Sequence, residues 1–107
     1  MKNIGDLMKK AQQVQMQMNA LQTKMEHLEF EGVAGSGAVK VTLTGKGVPV
    51  SVKIESSVVN PADIETLEDL VMVAIADSKN KSEEMLNSEM ERMQASLGLP
   101  PDFKMPF

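Results

Sequence analysis

The chain has 107 residues, the length of one domain, and it contains ten Met but no Cys, Trp or Tyr. The absence of Cys excludes disulfides and thiol chemistry, so the core must be built from aliphatic residues and Met. A formal net charge of −4 disfavours an unspecific polyanion binder. The longest uncharged apolar run, residues 70–76, is too short to span a bilayer, and charged residues stand where a signal peptide needs an apolar core. A cytoplasmic protein without membrane contact is therefore expected.

The first segment has a regular apolar repeat, which we call the seam. Its members recur at alternating spacings of three and four residues: Ile4, Leu7, Ala11, Val14, Met18, Leu21, Met25 and Leu28. This repeat predicts an amphipathic helix over residues 3–28. Such a helix would be ~39 Å long, whereas a strand over residues 38–44 would span only ~23 Å. The far end of the seam is therefore expected to pack on another helix, from this chain or from a second copy.

The middle of the chain, residues 29–55, predicts a three-stranded antiparallel meander. Aliphatic residues alternate with polar ones on both sides of a Gly-Lys-Gly loop, at Val39, Val41 and Leu43 and again at Val50, Val52 and Ile54. Two such runs joined by a short loop are typical of a β-hairpin with one aliphatic face, which the flanking helices must cover. A first strand is expected to end at a turn over residues 35–37. Pro49 lies just inside the third strand, where its missing N–H fits an edge strand or the start of a strand, and the third strand is expected at an edge of the sheet.

A second long helix is predicted after the sheet, with Asn60 as its N-cap and Pro61 at its first helical position. Its first apolar face, which would cover the sheet, consists of Leu67, Leu70, Val71, Ala74 and Ile75. The polar residues 77–84 leave open whether the helix is continuous or broken near Asp77. A thinner apolar stripe follows, and residues 85–97 are expected to pack antiparallel against residues 4–18 as a projecting arm.

These elements predict an α+β fold in which residues 1–98 form one α-β-β-β-α domain. Residues 99–107 are expected to form an extended tail, because Pro100, Pro101 and Pro106 forbid a helix. Two of the three Phe, Phe103 and Phe107, lie in this tail. The tail is expected to be loosely docked or free to bind a protein partner.

Enzyme chemistry finds little support in the sequence. His27 is the single histidine, and it could share a metal with Glu29 and Glu31 if the first strand began early. A solvated polar edge is the better interpretation, because metal sites usually need more His or Cys ligands. The two Gly-rich loops have neither the setting of a nucleophile elbow nor the spacing of a phosphate loop. The sequence therefore predicts no enzyme, no cofactor and no metal.

Positive charge is concentrated on the first helix. Residues 1–28 carry four lysines against two carboxylates, whereas residues 60–97 carry three cations against nine carboxylates. Helical spacing places one basic, amide-rich stripe on the first helix, with the members Lys9, Lys10, Gln13, Gln17 and Lys24. If the chain binds DNA, these are the expected contacts. Weaker candidates, which lie among carboxylates, are Lys79, Lys81 and Arg92. A solvated helix face is the commoner meaning of such a stripe.

The whole chain resembles the YbaB/EbfC family of nucleoid-associated proteins. The matching stretches are NIGDLMKKAQQ at residues 3–13, AVKVT at 38–42, LEDLV at 67–71 and, most specifically, LPPDFKMPF at 99–107. The resemblance implies a homodimer whose paired helical arms look like tweezers. It also implies binding to duplex DNA and a part in nucleoid organisation or gene regulation. The alternative is a protein-interaction or assembly module with little DNA affinity, which would use the Met-rich arms and the tail.

Overall fold

The computed structural model describes residues 4–98, so the tail expected over residues 99–107 lies outside the described residues. The described chain forms helix α1 (Ile4–His27), strands β1 (Glu29–Ala34), β2 (Val39–Thr44) and β3 (Pro49–Ile54), and helix α2 (Ile64–Ser96). The sheet is antiparallel with the order β1-β2-β3, and Pro49 begins the edge strand β3. The predicted α+β fold and the predicted meander are confirmed.

Helix α2 begins later than the sequence suggested, so the assignment of Asn60 as N-cap was wrong. The side chain of Asn60 accepts a hydrogen bond from the backbone N–H of Ala62 at 3.0 Å, and this bond closes a separate turn before the helix. Asp63 is the N-cap, and it accepts hydrogen bonds from both the backbone N–H and the hydroxyl of Thr66. These bonds lower the pKa of Asp63, the side-chain bond contributing most.

The sheet packs on the first half of α2, which runs unbroken for 33 residues. Small residues make this contact close: a Cβ at Gly32 would lie only 1.9 Å from the carbonyl oxygen of Ala74. Ser78 is fully buried, and its hydroxyl donates a 2.6 Å hydrogen bond to the carbonyl oxygen of Phe30. The polar residues 77–84, for which the sequence did not decide between a continuous and a broken helix, are therefore continuous helix. Ser78, within this stretch, faces β1.

Cover of the aliphatic sheet face is incomplete, contrary to the expectation from the sequence. Val39 and Val41 are buried under α2, at 0% and 2% exposure. Their direct partners on β3, Ile54 and Val52, lie on the same face because opposed residues of an antiparallel pair point to one side. Both partners are exposed, as is Val50. Helix α2 packs on β1 and β2, and the aliphatic side chains of β3 extend beyond it.

The distal half of α2 packs against α1 and forms the predicted arm, but with a different pairing from the expected one. The buried seam residues are Val14, Met18, Leu21 and Met25, and they pack with side chains of α2 from Met85 onward and with its C-cap, Leu97. Ile4 and Leu7, which were expected in this contact, are exposed. The pairing is shifted because α1 starts well beyond the end of α2. The burial predicted for Met18 and Leu21 is confirmed.

A contact from the sheet closes the junction between α1 and β1, which carries no capping signal of its own. The backbone N–H of Gly45, in the β2–β3 loop, donates to the carbonyl oxygens of Met25 and Leu28 at 2.9 and 3.1 Å. The Met25 carbonyl belongs to the last turn of α1, where no partner exists within the helix, and Leu28 directly follows that turn. The loop therefore supplies the cap and joins the base of the arm to the sheet.

Candidate nucleic-acid interface

The basic stripe on α1 is divided into two groups. The first, which we call the tip group, consists of Lys9, Lys10 and Gln13 near the start of the helix. Together with Asp6 and Leu7 they line a shallow depression of about 310 Å³. Lys9 and Gln13 are exposed and Lys10 is half-buried. Within residues 4–98, the ammonium groups of Lys9 and Lys10 take part in none of the ion pairs.

The second group, the groove group, lies between the helices of the arm. Gln17 and Lys24 from α1 and Arg92 from α2 line an open groove of about 350 Å³. Glu89 lies between the two cations: its Oε1 is 2.7 Å from Lys24 Nζ and 3.3 Å from Arg92 Nη2. The structure thus brings the predicted residue Arg92 beside the α1 stripe, but it places a carboxylate in the same groove.

Glu89 determines the electrostatics of the groove group. Its side chain is only 15% exposed, whereas those of Lys24 and Arg92 are 47% and 76% exposed. The hydrogen bond from Lys24, helped by the charge of Arg92, holds the pKa of Glu89 below its ordinary value against the opposing effect of burial. At neutral pH the groove group therefore carries two positive charges and one negative charge.

Lys81 lies at the edge of the sheet and is not part of the stripe. Its Nζ donates a 2.7 Å hydrogen bond to the carbonyl oxygen of Glu31 and lies 3.2 Å from Asp77 Oδ2. The same carboxylate accepts a 3.0 Å hydrogen bond from the backbone N–H of Val33. That bond, followed by the one from Lys81, lowers the pKa of Asp77. Lys81 and Asp77 thus satisfy backbone groups along β1, which would otherwise form an open strand edge.

Lys79 is part of neither the α1 stripe nor the group around Lys81. It lines a cleft of about 410 Å³ at the base of the arm, together with Glu83 and with Lys46 from the β2–β3 loop. From the sequence alone, Lys46 is predicted only as a residue of the turn between β2 and β3. Its position between two glycines carried no sign that a cation of α2 would lie nearby, because the two lysines are 33 positions apart in the chain.

Two further lysines, which are not among the predicted contacts, lie on the outer face of the sheet. Lys40 on β2 and Lys53 on β3 are directly opposite each other in the strand register. Their side chains point away from α2, since the neighbouring Val39 and Val41 point toward it. Alternation in the sequence could have identified this pair once the hairpin register was known.

The possible metal group at His27, Glu29 and Glu31 finds no support. Across residues 4–98, no three His, Cys, Asp or Glu side chains are grouped so as to hold a metal ion. His27 Nδ1 lies 2.9 Å from the carbonyl oxygen of Thr23, within the last turns of α1. In the same part of the chain, no helix combines the length and the apolar composition needed to cross a membrane.

The chain is thus an α+β protein with a two-helix arm, and the lysines of the α1 stripe lie at the surface of this arm. The profile of the YbaB/EbfC DNA-binding family matches residues 1–97, so the chain belongs to this family. It is 48% identical to a nucleoid-associated protein of Paramagnetospirillum magneticum and 45% identical to one of Rhodospirillum centenum. In both cases the match spans 107 residues, 100% of each chain. The resemblance inferred from the sequence is confirmed.

A solved structure supports the fold independently. The crystal structure of an uncharacterized protein from Helicobacter pylori matches with a TM-score of 0.73 and 22% sequence identity. The match covers 87% of this chain and 98% of that one. The same architecture is thus formed by two sequences that differ at most positions.

Proposed function

We propose that this protein is a nucleoid-associated protein that binds duplex DNA, chiefly through the phosphates, in nucleoid organisation or gene regulation. The observation that carries the proposal is the tip group, where two lysines without an ion-pair partner among residues 4–98 lie side by side on the arm. Membership of a DNA-binding family and the names of the nucleoid-associated relatives support the same function.

The cations of the tip group, which are both lysines, favour phosphate contacts over base recognition. A lysine ammonium acts as a point charge and lacks the planar fork with which Arg recognises guanine. The α1 stripe also has no aromatic side chain to stack on bases. Binding is therefore expected to be weakly sequence-specific and dependent on salt, with each neutralised phosphate contributing ~0.9 to the logarithmic salt slope.

The other candidate contacts contribute less in the free protein. Glu89 engages Lys24 and Arg92, and Asp77 engages Lys81. A phosphate must compete with these carboxylates, although a surface ion pair is worth only about 0–1 kcal/mol. The tip group is thus the first contact, and the groove group is a second contact that requires rearrangement around Glu89.

Dimerisation is the second part of the proposal, and the uncovered apolar surface supports it. Val52 and Ile54 of β3 remain exposed on the face that α2 covers elsewhere, and Val50, at the shift in the β2–β3 register, is exposed as well. Asp77 and Lys81 place one flank of α2 against β1, so the opposite flank, which includes Ile75, lies toward β3. Ile75 is also exposed. Contiguous apolar surface of this kind marks an interaction site.

A second copy is the proposed occupant of this surface. A twofold arrangement would bury the β3 face and the adjoining flank of α2 from both chains, and it would hold the two arms in one particle. Light scattering should give the mass of a dimer at micromolar concentration. Val52→Glu should produce monomers, whereas Ser51→Glu, with the same charge change on the opposite face of β3, should not. A monomeric parent protein would contradict the dimer.

The DNA proposal is tested with two double variants of equal charge change. Lys9→Glu with Lys10→Glu should abolish binding of duplex DNA in gel shifts at two salt concentrations and leave the dimer folded. The control, Lys40→Glu with Lys53→Glu, places the same charges on the outer face of the sheet and should retain most of the affinity. If the first variant binds as well as the parent, the tip group is not the contact.

The alternative function is a protein-interaction or assembly module. The exposed apolar side chains at the start of α1, Ile4, Leu7 and Met8, favour it, as does the net charge of −4. The same gel shifts distinguish the two functions, because a module of this kind would show no salt-dependent binding of DNA by the parent protein.

A further inference from the structure

The seam of α1 continues past the helix that covers it. Between Val14 and Met25 the seam residues are buried against α2, but Ile4 and Leu7 are 74% and 60% exposed. All of them belong to one three-four repeat and therefore lie along one side of the helix. The exposed pair faces the side on which α2 would lie if it were longer.

The described part of the chain ends close to this exposed pair. Gly98 has a φ of +68°, the left-handed conformation that commonly ends a helix, and it follows the last helical residue, Ser96, by two positions. A Cβ built on Gly98 would lie 3.9 Å from Lys10 Nζ. Leu7 is three residues from Lys10 along α1, and Ile4 is six residues away, which is ~9 Å of helix.

Residues 99–107 have the length and the composition needed to cover the pair. Nine residues reach up to ~30 Å when extended, which is about three times the ~9 Å of helix between Lys10 and Ile4. Four of the nine are large apolar residues: Leu99, Phe103, Met105 and Phe107. The two charged side chains, Asp102 and Lys104, have opposite signs, so the side chains of the segment add no net charge beside Lys9 and Lys10.

We propose that residues 99–107 lie on Ile4 and Leu7 of the same chain and continue the cover that α2 provides for the rest of the seam. A segment joined to its site by so short a connection has an effective concentration in the millimolar range, so even a weak apolar contact would be occupied. Lys9 lies on the opposite side of α1 from the seam, so this cover leaves it accessible. The proposal does not depend on DNA binding.

A single tryptophan reports on the contact in the full-length protein, because the sequence contains no Trp. In Phe103→Trp, the emission maximum should lie at shorter wavelength than in the same variant unfolded by denaturant. Adding Leu7→Gln should move it toward the unfolded value. Met16→Gln makes the same chemical change at a residue that is 70% exposed and opposite the seam, and it should leave the emission unchanged. An unshifted maximum, or a shift that Leu7→Gln does not reverse, would overturn the proposal.

Cysteine pairs distinguish the chain's own tail from that of a second copy, since the sequence has no Cys. Leu7→Cys combined with Phe103→Cys should form a disulfide within one chain, seen as a monomer with altered mobility on a non-reducing denaturing gel. In an oxidised mixture of the two single variants, cross-linked pairs should be rare. Cross-links that form only between chains, or in neither sample, would overturn the proposal.

Discussion

Glu89→Gln should strengthen DNA binding, because Glu89 is the carboxylate that engages both cations of the groove group. The change raises the net charge of Lys24, Arg92 and residue 89 from +1 to +2 in each chain. If this releases one cation to a phosphate, the logarithmic salt slope steepens by ~0.9 per chain engaged. If the variant and the parent bind equally at 1 M salt, the same relation makes the association constant of the variant roughly eightfold larger than that of the parent at 0.1 M salt. Fluorescence anisotropy of a labelled duplex at four or five salt concentrations would measure both quantities.

Glu91→Gln is the matched control for this prediction. It makes the same change in net charge two residues further along α2, at an exposed residue on the other side of the helix from Glu89. A general effect of reduced negative charge would appear equally in both variants. Equal salt slopes for Glu89→Gln, Glu91→Gln and the parent would refute the reasoning and would place the groove group outside the DNA contact.

Three further predictions concern the scaffold, all measured by denaturant unfolding at fixed protein concentration. Leu21→Ala should lower the free energy of unfolding by ~2–5 kcal/mol, because Leu21 is buried in the arm; an unchanged curve would contradict that burial. Gly32→Ala should cost about 3 kcal/mol or more, because its Cβ would meet the backbone oxygen of Ala74 at 1.9 Å. Gly47→Ala, which meets nothing within 4 Å, should cost only about 1–2 kcal/mol for its positive φ. In Asp77→Asn, unfolding should depend less on pH. The lowered pKa of Asp77 stabilises the parent above the ordinary value of 3.8, and this contribution is lost as pH falls through the folded pKa. Identical pH profiles for Asp77→Asn and the parent would show that Asp77 does not stabilise the β1 edge.

Several structural features could be read from short stretches of sequence, and the structure confirmed them. The seam predicted α1, and the alternation around Val41 and Val52 predicted two strands and their common face. Pro49 correctly marked the edge strand. These features depend on periodicities of 3.6 and 2 residues, which neighbouring residues express without reference to the rest of the chain.

Short-range signals failed where two nearby residues competed for one role. Asn60 and Asp63 are both good N-caps, and Pro61 favoured the first of them. In the structure Asn60 caps a turn instead, and Asp63 caps the helix. The polar stretch after Asp77 was equally ambiguous, because the burial of Ser78 depends on the closely approaching Gly32 on another element.

By itself, the sequence determined the element types, their order, the family and the lysines and amides that form the basic stripe. Only the tertiary structure decided how those residues are partnered. Lys24 meets Glu89 across 65 positions, and Asp77 meets Val33 across 44. It also decided that α2 does not cover the aliphatic side chains of β3 and that the seam extends beyond the end of α2. Such outcomes follow from the register between elements that are distant in the chain, and register is set by packing between elements rather than by the periodicity within any one of them.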